Sequence, residues 1–267
     1  MNATVYHPEN VNVRKVVSKM WIVEEAGNVD FLPEKIIPFG SFELLFHLGN
    51  SFAQSFDQNN WILQPKVMMT GHYERSVLVK ALGNYKSLGI SFYPWCGNLF
   101  CRFPLSEITS LFASGEFIDR DFLFKYWYKF QEPQETKCIF RLAEEMIEIQ
   151  LKSYRENTLT KNVVGGILEN PNVELSQLYQ GIAYSPRRIE QIFLENVGIS
   201  AKFLKKKIRF QRALKLAKNN PQLSLTEVAY QMGYYDQANF IKVFREFTGE
   251  APKAFLKNRE DIGVGLI

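Results

Sequence analysis

The sequence predicts an α+β multidomain chain: a β-rich N-terminal sandwich or small barrel with trailing helices, then an all-α domain. The all-α part carries two helix-turn-helix motifs joined by a long helix. Three observations support this. Short runs rich in Val, Ile, Phe and Tyr, broken by Gly, Asn, Asp and Pro, fill the first hundred residues. Helical texture takes over near Leu105. The tail then repeats itself at offsets of 50 and 51 positions.

Composition sets the limits within which these elements must fit. With 46% apolar and 14% aromatic residues, a chain of 267 residues can fill two cores. Its apolar runs fall short of the roughly 18 to 20 residues a membrane helix needs. The opening MNATVYHPENVNVRK lacks the apolar stretch of a signal peptide, so a cytoplasmic location without membrane contact is expected. Cys96, Cys101 and Cys138 leave one thiol over in any disulfide scheme and read as small buried hydrophobes in a reducing compartment. The net charge of +4 is unevenly spread. Residues 1–150 hold 14 Lys plus Arg against 17 Asp plus Glu, whereas residues 151–260 hold 18 against 10. Only the back of the chain is suited to a polyanion.

In the N-terminal domain, VVSKMWIVEE, SFELLFHLGNSF, RSVLVKAL and SLGISFY read as strands. Within FELLFHL, Phe42, Leu44, Phe46 and Leu48 share one face, and Glu43, Leu45 and His47 the other. Trp21, Phe42, Phe46, Trp61, Tyr73, Phe92, Tyr93 and Trp95 either fill a core or line a small-molecule site in the mouth of the domain. His7, His47 and His72 are not at metal-ligand spacing, and no phosphate-cradling glycine loop occurs. No metal, cofactor or catalytic residue is therefore expected. An enzyme whose β domain does chemistry beside a DNA-binding module is the alternative. Pro104 and Ser106 mark the start of the helical texture.

The run ETKCIFRLAEEMIEIQLKSYR, from Glu135 to Arg155, has a wide apolar stripe including Ile139, Leu142, Met146 and Ile149. It must bury itself on its own β domain or on the same helix of a second subunit, which leaves a homodimer open. The polar ENTLTKN, Glu156 to Asn162, marks a boundary. The expected divisions are residues 1–132 for the β-rich sensor or dimerisation domain, 133–157 for the connecting helix and 158–260 for the DNA-binding domain.

The tail is the most legible part. Ser224 and Glu227 form a capping box, Gly233 makes a turn, and a second helix starts near Asp236 with Phe240, Val243, Phe244 and Phe247 on one face. Gly249 stops that helix and Pro252 follows. The same pattern occurs earlier, with Leu175 to Leu178 matching Leu225 to Val228, and Ile189, Phe193 and Gly198 matching Phe240, Phe244 and Gly249. Between the copies, AKFLKKKIRFQRALKLAK forms a basic helix of roughly 27 Å at about 1.5 Å per residue. Such a spacer suits the roughly 34 Å between successive major-groove faces on one side of B-DNA.

On the first recognition helix, Pro186, Arg187, Arg188, Glu190 and Gln191 are expected to face DNA. The arginines suit guanine edges, Gln191 adenine and Glu190 cytosine. On the second, Gln237, Ala238, Asn239 and Ile241 are expected to face bases. Lys242, Arg245, Lys205, Lys206 and Arg209 are expected to hold phosphates. Gly198, Gly233, Gly249 and Pro252 are the structural turn residues.

Residues from about Val163 to Arg259 resemble the DNA-binding domain of the AraC/XylS family of bacterial transcription regulators. The resemblance is carried by SPRRIEQIF with Gly198, by IRFQRAL, and by LTEVAYQMGYYDQANFIKVFREFTGEAP. PFGSFELLFHLGN and SLGISFYP resemble, more loosely, the β-rich sensor domain found ahead of such modules. The resemblance implies double-stranded DNA and RNA polymerase as partners, with a small-molecule effector as a further one. Three positions depart from the family pattern: Tyr179 replaces a small residue, Gln191 a basic one, and Ala201 a proline. The zinc-cysteine cluster and repair cysteine of the methyltransferase members are absent, which speaks against that enzymatic branch.

Overall fold

Residues 2–26, 32–37, 40–101, 104–107 and 119–257 are described by the computed structural model of the chain. The N-terminal strands are β1 (Asn2–Tyr6), β2 (Val17–Glu25), β3 (Glu34–Ile36), β4 (Phe42–His47), β5 (Phe52–Ser55), β6 (Ile62–Leu63), β7 (Val67–Gly71), β8 (Val77–Ala81) and β9 (Tyr85–Phe92). They form two antiparallel sheets, ordered β1-β2-β9-β4-β7 and β3-β8-β5-β6. The larger sheet is covered on both faces. One side, with Phe42, Leu44, Phe46, Leu88 and Ile90, packs into a core shared with helices. The other, with Trp21, Val23, Leu45 and Met68, meets Phe52 and Ala81 of the smaller sheet.

Several elements carry no strong signal in the sequence. The edge strand β1 is largely exposed, and β6 exposes both Ile62 and Leu63. The short helix α1 (Val11–Arg14) buries only Val13. A 3-10 helix at Pro94–Leu99 caps the core instead of continuing β9, and another spans Leu105–Glu107.

Helices α2 (Arg120–Gln131) and α3 (Thr136–Leu151) cover the large sheet. Of the two placements open for the Glu135 to Arg155 segment, the chain takes its own core: Ile139, Phe140, Ala143, Met146 and Ile147 are buried there. Cys96 is buried, but Cys138 stands exposed on α3, against the expectation that all three thiols are buried. The polar stretch at 156–162 serves as a helix start, with Asn157 capping α4 (Thr158–Glu169) through the amide of Thr160 at 3.0 Å.

The tail continues with α5 (Leu175–Leu178), α6 (Pro186–Val197), α7 (Ala201–Asn219), α8 (Leu225–Gln231), α9 (Gln237–Thr248) and α10 (Pro252–Lys257). Its apolar residues divide between two cores. Val163, Val164, Ile167, Phe193 and Val197 join the core of the large sheet. Phe210, Leu214, Val228, Phe240, Phe244 and Phe255 form a separate one to which the β domain adds Ile37.

Candidate nucleic-acid interface and ligand cavity

The second helix-turn-helix is built by local chemistry. Ser224 Oγ accepts the Glu227 amide at 3.2 Å, and Glu227 Oε2 accepts the Ser224 amide at 2.7 Å. The Ser224 amide and hydroxyl, both donating to Glu227 Oε2, hold that carboxyl below the usual carboxylate range. Gly233, at φ +68°, makes the turn in the left-handed region. Asp236 caps α9 by accepting the Asn239 amide at 2.7 Å. The helix buries Phe240, Val243, Phe244 and Phe247 and leaves Ala238, Asn239, Lys242 and Arg245 exposed. Gln237 and Ile241 are half-buried, and Gln237 Oε1 accepts the Thr226 hydroxyl at 3.1 Å. Gly249 ends the helix at φ +76°, and buried Pro252 opens α10.

The first copy follows the same plan. Ser185 caps α6, Pro186 occupies its first turn, and Gly198 closes it at φ +81°. Ile189, Phe193 and Val197 are buried, while Pro186, Arg187, Arg188 and Gln191 are exposed. Glu190 is half-buried and accepts a hydrogen bond from the Tyr179 phenol, so the departure at Tyr179 ties α5 to α6. A matched pair, Tyr184 and Tyr235, stands outside the residues expected to face DNA. Each immediately precedes a helix cap, and they are 55% and 95% exposed. Their separation of 51 positions equals the repeat offset, so the pair is visible in the sequence.

Three of the basic residues of α7 expected to hold phosphates have partners inside the protein. Lys205 Nζ donates to the Val173 carbonyl at 2.5 Å, and Lys206 pairs with Glu246 at 2.5 Å. Arg209 donates to the carbonyls of Gly233 and Pro171, each at 3.4 Å, and lies over the Tyr234 ring. Those contacts fasten one helix-turn-helix to the other.

The β domain grips both copies. The Gly198 end of α6 packs on Leu105, so a Cβ at Gly198 would sit 2.9 Å from the Leu105 carbonyl oxygen. At the second copy, Ser76 donates its amide to the Phe247 carbonyl at 3.0 Å, and Lys35 pairs with Glu250. Lys207 of α7 is fully buried and donates to the Tyr73 carbonyl at 3.1 Å.

Between the sheets lies a cavity of about 350 Å³, within the usual range for small-molecule sites. Trp21, Leu45, Phe52 and Tyr85 supply apolar wall, with Glu43 and His47 among the polar groups. Ile208 and Gln211 of α7 and Leu168 of α4 close one side. Burial pushes the His47 imidazole down to about 4 and raises the Glu43 carboxyl. The Cys96 and Cys101 thiols are pushed up to about 12 by burial, which disfavours the thiolate a nucleophile needs. Among the described residues there is no cluster of three metal-ligating side chains, and no helix is long and apolar enough to cross a membrane.

Two helix pairs, each with a side-chain cap on its second helix and a polar outer face, joined by one helix, define a DNA-binding module of the helix-turn-helix class. Residues 178–258 match the family described as "Helix-turn-helix domain", and this part of the chain is an AraC-type domain. Residues 5–113 match a "Domain of unknown function (DUF6597)". The arabinose operon regulatory protein of Escherichia coli K12 is 28% identical over 94 residues, covering 35% of this chain and 32% of that protein. The HTH-type transcriptional activator Btr of Bacillus subtilis 168 is 22% identical over 280 residues, covering 97% of this chain and 50% of Btr. This chain thus spans half or less of the length of those relatives. Among solved structures, ToxT from Vibrio cholerae O395 matches at a TM-score of 0.44 and 13% identity, over 88% of this chain and 95% of that one.

Proposed function

We propose that the protein is a sequence-specific DNA-binding transcription regulator whose β domain receives a small-molecule effector. It would act in the cytoplasm with RNA polymerase as a partner, and without catalysis of its own. The observation that carries this is the pair of recognition helices with polar outward faces: Arg187, Arg188 and Gln191 on one, Ala238, Asn239, Lys242 and Arg245 on the other. A carboxylate tied to Tyr179 is a poorer reader of cytosine, so the first copy's discrimination is assigned mainly to Arg187, Arg188 and Gln191. Tyr184 and Tyr235 are added as phosphate contacts beside the two helix starts. The domain divisions at 132 and 157 and a homodimeric assembly belong to the same proposal.

Gel-shift titration against promoter fragments of the source genome tests the proposal. Tight binding to particular fragments is expected, with affinity falling steeply as salt rises. Binding that treats all fragments alike at every salt concentration would overturn it. Arg187→Ala should change base preference by about 1–3 kcal/mol. Lys242→Ala should weaken every site alike and reduce the salt slope by about 1. Lys206→Ala is a poor test of phosphate contact, because its loss also strips Glu246 of its partner.

A further inference from the structure

The strand pairing gives the cavity a definite chemistry. Cross-strand register aligns three rows on the inner face of the large sheet. Lys19, Ser91, Glu43 and Thr70 form the first; Trp21, Gly89, Leu45 and Met68 the second; Val23, Ser87 and His47 the third. The middle row is apolar, and Gly89 is required there, because a Cβ would lie 2.1 Å from the Trp21 ring. The indole therefore lies across the sheet as a flat floor. The outer rows carry unsatisfied polar groups. Thr70 Oγ1 is buried without a partner. His47 Nδ1 pairs with Ser87 Oγ at 2.8 Å, but its Nε2 has no partner. Glu43 accepts the Ser91 hydroxyl at 2.9 Å, is also approached by the Lys19 amine and the Trp21 indole, and lines the cavity. Buried polar groups left open in an apolar slot are the points a ligand satisfies.

We propose that this cavity binds a compact, mainly apolar molecule carrying one hydrogen-bond-donating head group, an amine or an alcohol, and that α7 senses its presence. The body lies on Trp21 and Leu45, and the head group donates to Glu43 and Thr70. An anionic head group would confront Glu43 in surroundings that screen charge poorly. Lys19 is the cation at that end; burial lowers its pKa, and its charge is already engaged by Glu43, with Lys215 of α7 opposing it more weakly. The sensing half rests on the regulator reading above. It follows from Ile208 and Gln211, which close the cavity, and from Gly40, where an added Cβ would come within 2.5 Å of Ile208 Cδ1. The helix touching the ligand is the one that joins the two DNA-reading units.

The test uses the full chain and three probes of equal bulk: cyclohexylmethanol, cyclohexylmethylamine and cyclohexanecarboxylate. Calorimetric titration should show the alcohol and amine binding about tenfold or more tighter than the carboxylate. Glu43→Gln should weaken the amine by about tenfold and the alcohol by less than about threefold. Gly89→Val, which pushes Trp21 into the slot, should abolish binding of all three. If that variant fails to fold, Leu45→Trp fills the same space from the neighbouring strand. Amide exchange across 204–211 should slow when the amine or alcohol is bound. The ligand assignment is overturned if the carboxylate binds best, if Glu43→Gln leaves the amine unchanged, or if none of the three binds at millimolar concentration. Binding without any change at 204–211 overturns the sensing half. Gel shifts on the ligand-free protein separate this from the regulator reading, because DNA recognition can succeed while all three probes fail, and the reverse.

Discussion

Lys207 shows how much one side chain can say about the joint between the domains. Its amine is fully buried, and burial pushes it down to about 7, with Glu74 acting weakly the other way. In the unfolded chain it titrates near 10.4. Between about pH 7 and 10.4 the unfolded chain holds a proton that the folded chain has released, so stability rises with pH across that window. Below about pH 7 the charged amine carries its whole desolvation cost. Lys207→Met should flatten this slope and stabilise the protein at pH 7 by roughly 2–3 kcal/mol, read by urea unfolding at several pH values. An unchanged slope would remove Lys207 from this role. On the acid side, His47 at about 4 and His72 well below its ordinary value have depressed folded pKa values. Stability should fall as pH drops from about 6.5 towards 4, and His47→Gln should make that fall shallower. None of this is legible in the sequence, where Lys207 is one lysine in a run of three. Its burial depends on the β domain lying across α7.

The helices were more legible than the strands, and the reason is the range of the forces involved. A capping box, a left-handed glycine and an apolar stripe all act within a few residues, so α8, Gly233 and α9 stand in the sequence much as they do in the fold. The alternation in β4 was equally clear. What covers its Glu43–Leu45–His47 face depends on β5 and β8, which pair in another sheet, so the cavity could be anticipated only as one of two uses for the aromatics. Edge strand β1 has little apolar alternation and left no signal. The glycine caps permit a graded test. At Gly249 an added Cβ meets nothing within 4 Å, so Gly249→Ala carries only the backbone cost of φ +76°, about 1 kcal/mol. Gly198→Ala adds the clash with the Leu105 carbonyl and should lose at least about 1 kcal/mol more. Chemical denaturation of the two variants decides it; equal losses would mean that the α6 contact with Leu105 contributes nothing.

At the scale of the molecule, the two copies of one motif have different supports. The second has its own core of Phe210, Leu214, Phe240 and Phe244. The first shares its core with the large sheet through Val163, Phe193 and Val197. A fragment spanning 155–257 should therefore protect amides in α7 to α10 and exchange rapidly in α4 to α6. Equal protection of both halves would show that the shared core is dispensable.

That shared core bears on how such a protein could be re-engineered. The DNA-reading half is not a cassette. A chimera joined near residue 155 would carry the second core except for Ile37, but would leave Gly198 and Phe193 without the surface around Leu105 on which they rest. A chimera that exchanges the β domain should hold its first helix pair only where the patch around Leu105 is transplanted with it, so the place to cut lies within the β domain rather than at residue 155.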